Sequence, residues 1–267
     1  MIIIIKKSGQ TCNRLFQYAH FYAYCKEHNI ELLNPTFRDL RNVFNTEMTG
    51  NDSIRTKLEL FIKVILYTLK GNLMNIDSPE KNLLAMSLLK NKDYLVWGWC
   101  FRDAANFCKY ADDIRDFFRI NSVYIKKVEN ELLEKRKVYD SIVGVHIRRG
   151  DYSTWNDGKY YFDDSEYVSI IEQMSSLMPF KKVLFIICSN ESVNVLPYKD
   201  LERNHLGIWI PQSNFVEELF LLSKCDKIIG PPSTFTLWAS FYGNIPYLHI
   251  EEKNFKIKEQ DFKVCLG

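Results

Sequence analysis

The sequence predicts an α/β fold built on parallel sheets, and three observations carry that prediction. In the second half of the chain, short apolar runs alternate with amphipathic stretches of helical length, the pattern of βαβ units. Residues 183–188 (Val-Leu-Phe-Ile-Ile-Cys) are almost purely apolar, as a strand covered on both faces must be. The runs at 142–147, 183–188 and 227–230 each lead straight into a polar loop, and ligands sit at that end of a parallel sheet.

In order along the chain, residues 2–5 (four isoleucines) read as a first buried strand and 8–13 as a polar loop. Residues 14–27 read as a helix with aromatic and apolar side chains on one face. A short strand is expected at 30–33, and 34–51 looks irregular. Helices are expected at 54–70 and 79–89, a strand at 94–99, and helices at 104–118 and 123–137, the last one charged and exposed. Residues 142–147 are a strand, 164–178 a helix, 183–188 a strand and 207–210 a short strand. A helix at 215–223, a strand at 227–230, a helix at 233–242 and a strand at 246–249 complete the pattern. A boundary near 138–141 gives two domains, 1–140 and 141–267. The segment 57–74 is unusually apolar, with Lys57, Lys63 and Lys70 interspersed. It is read first as a buried core helix and second as a peripheral contact with a membrane surface. Glu59 and Lys63 argue against a transmembrane span.

Composition excludes several functions. The 267 residues carry a formal net charge of +2, so nothing marks a nucleic-acid-binding protein, and any anion affinity has to come from a local cluster. The seven cysteines are odd in number and show no CxxC spacing, which argues against a zinc site or a disulfide framework and for a reducing cytoplasm. The isoleucine run is too short for a signal-peptide core. A cytoplasmic protein is therefore expected, with the inner face of the membrane as its outermost reach.

The loops hold the candidate chemistry. His146-Ile147-Arg148-Arg149-Gly150-Asp151-Tyr152 puts two guanidiniums at a strand end, and the planar guanidinium fork suits phosphate. The bland reading is a solvated turn in which Arg149 and Asp151 pair. The loop holding Gly9 and Gln10 precedes the first helix, with Asn13 read locally as its N-cap; the full GxGxxG of a dinucleotide site is missing. Ser189 and Asn190 follow the apolar run 183–188, as ligand contacts or as caps, with capping preferred for Ser189. Glu217 and Glu218 open a helix, where carboxylates suit the dipole and need no further role. Ser233, Thr234 and Phe235 follow two prolines at another helix start, where hydroxyls and free N–H groups can grip phosphate or simply cap. Three such loops beside an arginine pair favour a crevice for a phosphorylated ligand.

Taken together, the chain resembles the α-1,2-fucosyltransferases and, more broadly, the fucosyltransferases that use GDP-fucose. The similarity rests on Asn13-Arg14-Leu15-Phe16-Gln17-Tyr18-Ala19, on the complete HxRRxDY motif at 146–152, on the run ending in Ser233-Thr234-Phe235-Thr236-Leu237-Trp238, and on the Ser189-Asn190 pair. The usual Gly-Gly-Leu-Gly-Asn loop here reads Gly9-Gln10-Thr11-Cys12-Asn13, and Leu237 replaces one of two paired tryptophans. The resemblance implies a GT-B-like architecture: two Rossmann-like domains with parallel sheets facing a central cleft, an acceptor-side first domain and a second that binds the GDP-sugar. It also implies inverting transfer of L-fucose from GDP-β-L-fucose to a glycan, α-1,2 to galactose, with no metal and no cofactor.

Under the same resemblance Arg148 contacts the diphosphate, and Asn13 and Asp151 complete the catalytic set. Gly9, Gln10, His146, Arg149, Ser189, Asn190, Ser233, Thr234 and Phe235 join Arg148 in holding the donor. Asp151 is the candidate proton acceptor, His146 orients the loop from beneath, and Asp163, Asp164 and Glu166 are left undecided. The competing readings are transfer from another GDP-sugar and a non-catalytic nucleotide-binding module.

Overall fold

The isoleucine run forms β1 (Ile2–Ile4), fully buried and paired in parallel on both sides. In the computed structural model residues 1–46, 54–202 and 206–267 are described, and the chain divides into two units. The first holds residues 1–121 with 266–267, and the second residues 122–265.

In the first unit β1 is followed by α1 (Thr11–Glu27), β2 (Leu32–Leu33), a 3-10 turn (Pro35–Leu40), α2 (Ile54–Leu69), β3 (Leu73–Asn75), α3 (Pro79–Leu88), β4 (Tyr94–Trp97), α4 (Ala104–Lys109) and α5 (Ala111–Phe117). The sheet is parallel throughout, in the order β2-β1-β4-β3. Three expectations change here. The helix expected at 104–118 is two, breaking at Tyr110. The first helix does not bury one face only: Arg14, Gln17 and His20 are buried along with its apolar residues. The α3 carbonyl of Met86 accepts from Tyr24 of α1, and the His20 ring lies 4.5 Å from Phe107 of α4, so the helix is enclosed from several sides. Finally, α2 is not a buried core helix. Leu60, Val64 and Tyr67 pack on Ile3 and Leu95, while the opposite side is exposed. Part of the stretch expected to be irregular, 47–51, lies outside the described residues.

The second unit runs through α6 (Lys126–Arg136), β5 (Ser141–Ile147), α7 (Asp164–Ser176), β6 (Val183–Ser189), α8 (Leu196–Glu202), β7 (Gly207–Trp209), α9 (Phe215–Ser223), β8 (Lys227–Gly230), α10 (Thr234–Gly243), β9 (Pro246–His249) and β10 (Lys263–Val264). The sheet order is β10-β9-β8-β5-β6-β7, parallel except for β10. Side chains alternate across β5 with the two-residue period of a strand. Val143, Val145 and Ile147 join the core built with Ile170, Ile171 and Met174 of α7. Gly144 and His146 face the other way, Gly144 so close to α9 that a Cβ would stand 2.5 Å from Leu222 Cδ2. The boundary falls at 121/122, earlier than the expected 138–141. The reason is α6, which packs on this unit: Val128 and Leu132 are buried, and Arg136 pairs with Asp226 at 2.8 Å and donates to the Lys224 carbonyl.

Candidate functional site

The order β8-β5-β6 makes neighbours of three strand ends, and so of the loops at 231–233, 148–153 and 190–195. At its carboxyl end β5 stays in register with β6 to the last pair, Ile147 with Ser189, so the arginine pair and Asn190 leave the sheet side by side. The Asn190 side chain then holds the loop. Its Oδ1 accepts from the Arg149 N–H at 2.8 Å, and its Nδ2 donates to the Arg149 carbonyl at 3.2 Å. Gly150 turns the chain at φ +64°, where a Cβ would stand 3.0 Å from Glu191 Oε1 and 3.3 Å from Asn190 Nδ2.

The two arginines have different partners. Arg149 does not pair with Asp151. Its Nη2 lies 2.6 Å from Asp164 Oδ1, an oxygen that also accepts from the Tyr198 hydroxyl at 2.9 Å. Both members of the pair are largely enclosed, at 12% and 22% side-chain exposure. Burial alone would lower the Arg149 pKa, but the Asp164 hydrogen bond and charge carry it above its ordinary value. Asp151, at 53% exposure, instead meets Arg148 Nη2 at 2.7 Å. The Arg148 guanidinium lies 5.4 Å from the centre of the Tyr152 ring, whose hydroxyl donates to the Pro232 carbonyl. Both guanidiniums are largely enclosed, Arg148 at 15% side-chain exposure, and they differ in partner: Arg149 pairs with the start of α7, Arg148 with the more exposed Asp151.

His146 lies beneath, on the α10 side. Its Nδ1 is 2.9 Å from Thr236 Oγ1, and its ring is 5.1 Å from that of Phe235. Burial pushes the imidazole down to about 3, with the Arg148 and His249 charges acting in the same direction, so it is neutral near pH 7. Ser233 is the N-cap of α10, its Oγ accepting from Phe235 N at 3.2 Å. The first turn of α10 has no acidic residue and directs N–H groups toward the same loops. Ser189 caps no helix: its Oγ accepts from Glu191 N at 3.2 Å, and α8 starts seven residues later.

The ends of β6 and β7 border a cavity of about 640 Å³, lined by Ile187, Ser189, Val193, Ile208, Ile210 and Glu218 among others. Burial raises the Glu218 carboxyl to about 7, despite the Ser189 backbone and the Ser213 hydroxyl, which favour its ionised form. By sequence alone Glu218 had no role beyond the helix dipole; its neighbour Glu217 closes a capping box with Asn214. Of the residues around the candidate site, Asp164 was left undecided in the sequence, and Tyr198 and Glu218 were missed as candidates. The one available signal was Asp164 opening a helix shortly after the arginine pair.

On the loop beyond the motif, Trp155 is 47% exposed and lies 4.8 Å from Tyr152 and 5.4 Å from Tyr160, ring centre to ring centre. It is followed by Asn156, Asp157 and Gly158, all at positive φ.

Gly9, Gln10 and Asn13 belong to the first unit. Gln10, not Asn13, occupies the N-cap of α1, and Asn13 stands in its first turn. Gly9, at φ +70°, brings the chain so close to Asn13 that a Cβ would lie 2.4 Å from its Nδ2. Among the described residues, no group of three or more His, Cys, Asp or Glu side chains is placed to hold a metal ion.

A family model described as glycosyl transferase family 11 matches residues 5–263. No curated protein sequence matches the chain. Several solved structures share the fold at low identity. A mutant of Arabidopsis thaliana FUT1 in complex with GDP is 13% identical with a TM-score of 0.61, over 98% of this chain and 73% of that one. POFUT1 in complex with GDP-fucose is 9% identical with a TM-score of 0.60, over 91% and 94%. The fucosyltransferase NodZ from Bradyrhizobium is 14% identical with a TM-score of 0.57, over 95% and 96%.

Proposed function

The chain belongs to glycosyl transferase family 11, and on that premise we propose that it transfers L-fucose from GDP-β-L-fucose to a hydroxyl of a glycan, forming an α-1,2 link to galactose with inversion. The observation that carries the reading is Arg148, at the end of a central strand of the sheet, where the loop it belongs to bonds through Tyr152 to Pro232 just before α10; a cavity of about 640 Å³ lies at the ends of the next strands, β6 and β7. The solved structures of like fold include complexes with GDP and GDP-fucose.

In this reading the diphosphate lies between Arg148 and the N-terminus of α10, where a guanidinium fork and the helix N–H groups stabilise the charge of the departing GDP. That stabilisation takes the place of a metal ion. Asp151 exchanges its contact with Arg148 for the acceptor hydroxyl and takes its proton as the C1–O bond to fucose forms and the bond to GDP breaks. Arg149, held by Asp164 and Asn190, sets the position of Arg148 rather than touching the donor. His146, neutral and enclosed, supports the loop. Ser233 and Thr234 contact phosphate or sugar oxygens. The base lies in the cavity facing Glu218, whose carboxylate form accepts from the N1–H and amino group of guanine. The Trp155 ring offers an apolar platform to an acceptor sugar. From the family motif, Asn13 orients the reacting groups.

Incubation with a panel of nucleotide sugars and galactose-terminated oligosaccharides, followed by NMR of the product, tests this reading. An α-fucosyl linkage at a galactose 2-hydroxyl is expected. A β-linkage, a trapped fucosyl-enzyme or turnover of a different nucleotide sugar contradicts it.

A further inference from the structure

We propose that α2 is a docking helix that lays its outward face on a bilayer containing acidic lipid. The helix has two apolar stripes. One, Leu60, Val64 and Tyr67 at the i, i+4, i+7 spacing, packs on the sheet through Ile3 and Leu95. The other consists of Leu58, Phe61, Ile62, Ile65, Leu66 and Leu69, at i, i+3, i+4, i+7, i+8 and i+11, on the side turned away from that core. Its six side chains are 42% to 80% exposed, and no described residue covers them. A helix packed by one face alone is expected to be polar on the other. A contiguous apolar stripe on the solvent side instead marks an interaction surface.

Charge selects the occupant. At 100° per residue the outward stripe is bordered by Lys57 on one side and by Lys63 and Lys70 on the other, with Glu59 as the one acidic residue on the same border. Apolar centre and basic margins suit the boundary between acyl chains and acidic headgroups, where lysines bury their stems and keep their ammonium groups among the phosphates. A second copy of the chain fits less well. Two such helices packed face to face bring lysine margins against lysine margins. None of the described helices is long and apolar enough to cross a membrane, so contact through α2 is peripheral. This inference goes beyond the fucosyl-transfer reading and does not depend on it.

Cosedimentation of the full chain with phosphatidylcholine vesicles, with and without phosphatidylglycerol, tests it. Binding is expected to the acidic vesicles, to weaken with salt, and to fall by about tenfold or more when Lys57→Glu and Lys70→Glu are combined. Replacing Phe61, Ile65 and Leu69 by serine should abolish binding to the acidic vesicles. Because these side chains lie outside the core, thermal unfolding of this variant should match the parent. The proposal is overturned if the parent chain stays in the supernatant with acidic vesicles, or if the serine variant binds them as the parent does. It is equally overturned if the parent proves to be a dimer that the serine variant turns into a monomer.

Discussion

At the scale of single residues, the account turns on the different work of two adjacent arginines. In the proposed function Arg148 meets the diphosphate, and a guanidinium fork can donate two parallel hydrogen bonds that an ammonium cannot match. Charge-assisted hydrogen bonds contribute about 1.5–3 kcal/mol each, so losing one or two costs on the order of 100-fold in rate or more. Arg148→Lys should therefore lower kcat/KM by about that factor while the melting temperature holds, and near-normal turnover would remove Arg148 from its role. Glu218 supplies a second residue-scale prediction. Its carboxyl is raised to about 7 by burial, so the form that accepts from guanine prevails only above that pH. GDP affinity should weaken as pH falls through 7, and in Glu218→Gln that dependence should disappear. A pH-independent Kd for the parent between pH 6 and 8 would deny Glu218 its contact with the base. The arginine motif could be read in the sequence because its residues are consecutive. Asp164 could be named but not chosen, and Tyr198 and Glu218 could not be found at all, because their relation to the site runs across helix and sheet packing that no local spacing encodes.

Among the elements, the parallel strands were the most legible part. A buried strand such as Val183–Ser189 has no polar side to disguise it, and the helices between strands announce themselves by length and period. Elements held by their neighbours left no such mark. β3 (Leu73–Asn75) and β10 (Lys263–Val264) are edge strands of three and two residues, too short for any periodicity. The period of α2 was clear, but which of its two apolar stripes faces the core depends on the sheet beneath it. The loop after β5 depends in the same way on α7, through Asp164 at its start. Asp164→Asn keeps the shape and a hydrogen bond to Tyr198 but leaves Arg149 without its charge partner in a largely enclosed place. A loss of about 1–3 kcal/mol of stability is expected, with a lower melting temperature and a slower kcat as the loop loosens. A variant with unchanged melting temperature and turnover would mean that the pair does not position the loop.

For the whole molecule, three enclosed histidines set the response to acid. Burial lowers His20 and His146 to about 3 and His249 to about 4, all below the ordinary 6.5. Between those values the unfolded chain binds three protons that the folded chain refuses, so their contribution is present above pH 6.5 and drains away as pH falls toward 4. Glu218 acts in the opposite sense. Its raised pKa lets the folded chain hold a proton from about 4.5 to 7, which favours the fold below that window and is lost as pH rises through it. Three groups outweigh one, so the melting temperature should drop steadily from pH 6.5 to pH 5. A flat profile there would mean that the histidines are not enclosed as described. The two-unit organisation was legible from the chain's own pattern, yet the boundary was not. The charged helix Lys126–Arg136, expected to be exposed and to close the first domain, joins the second unit through Val128, Leu132 and the Arg136–Asp226 pair.

In the proposed function the second unit holds a guanosine diphosphate with its own arginine and helix N-terminus and without a metal ion. Calorimetric titration with GDP, ADP and UDP in the presence of EDTA tests it most directly. The account predicts that GDP binds in EDTA, about tenfold or more tighter than either other nucleotide. Equal or tighter binding of UDP, or GDP binding that appears only when Mg²⁺ is restored, would contradict it.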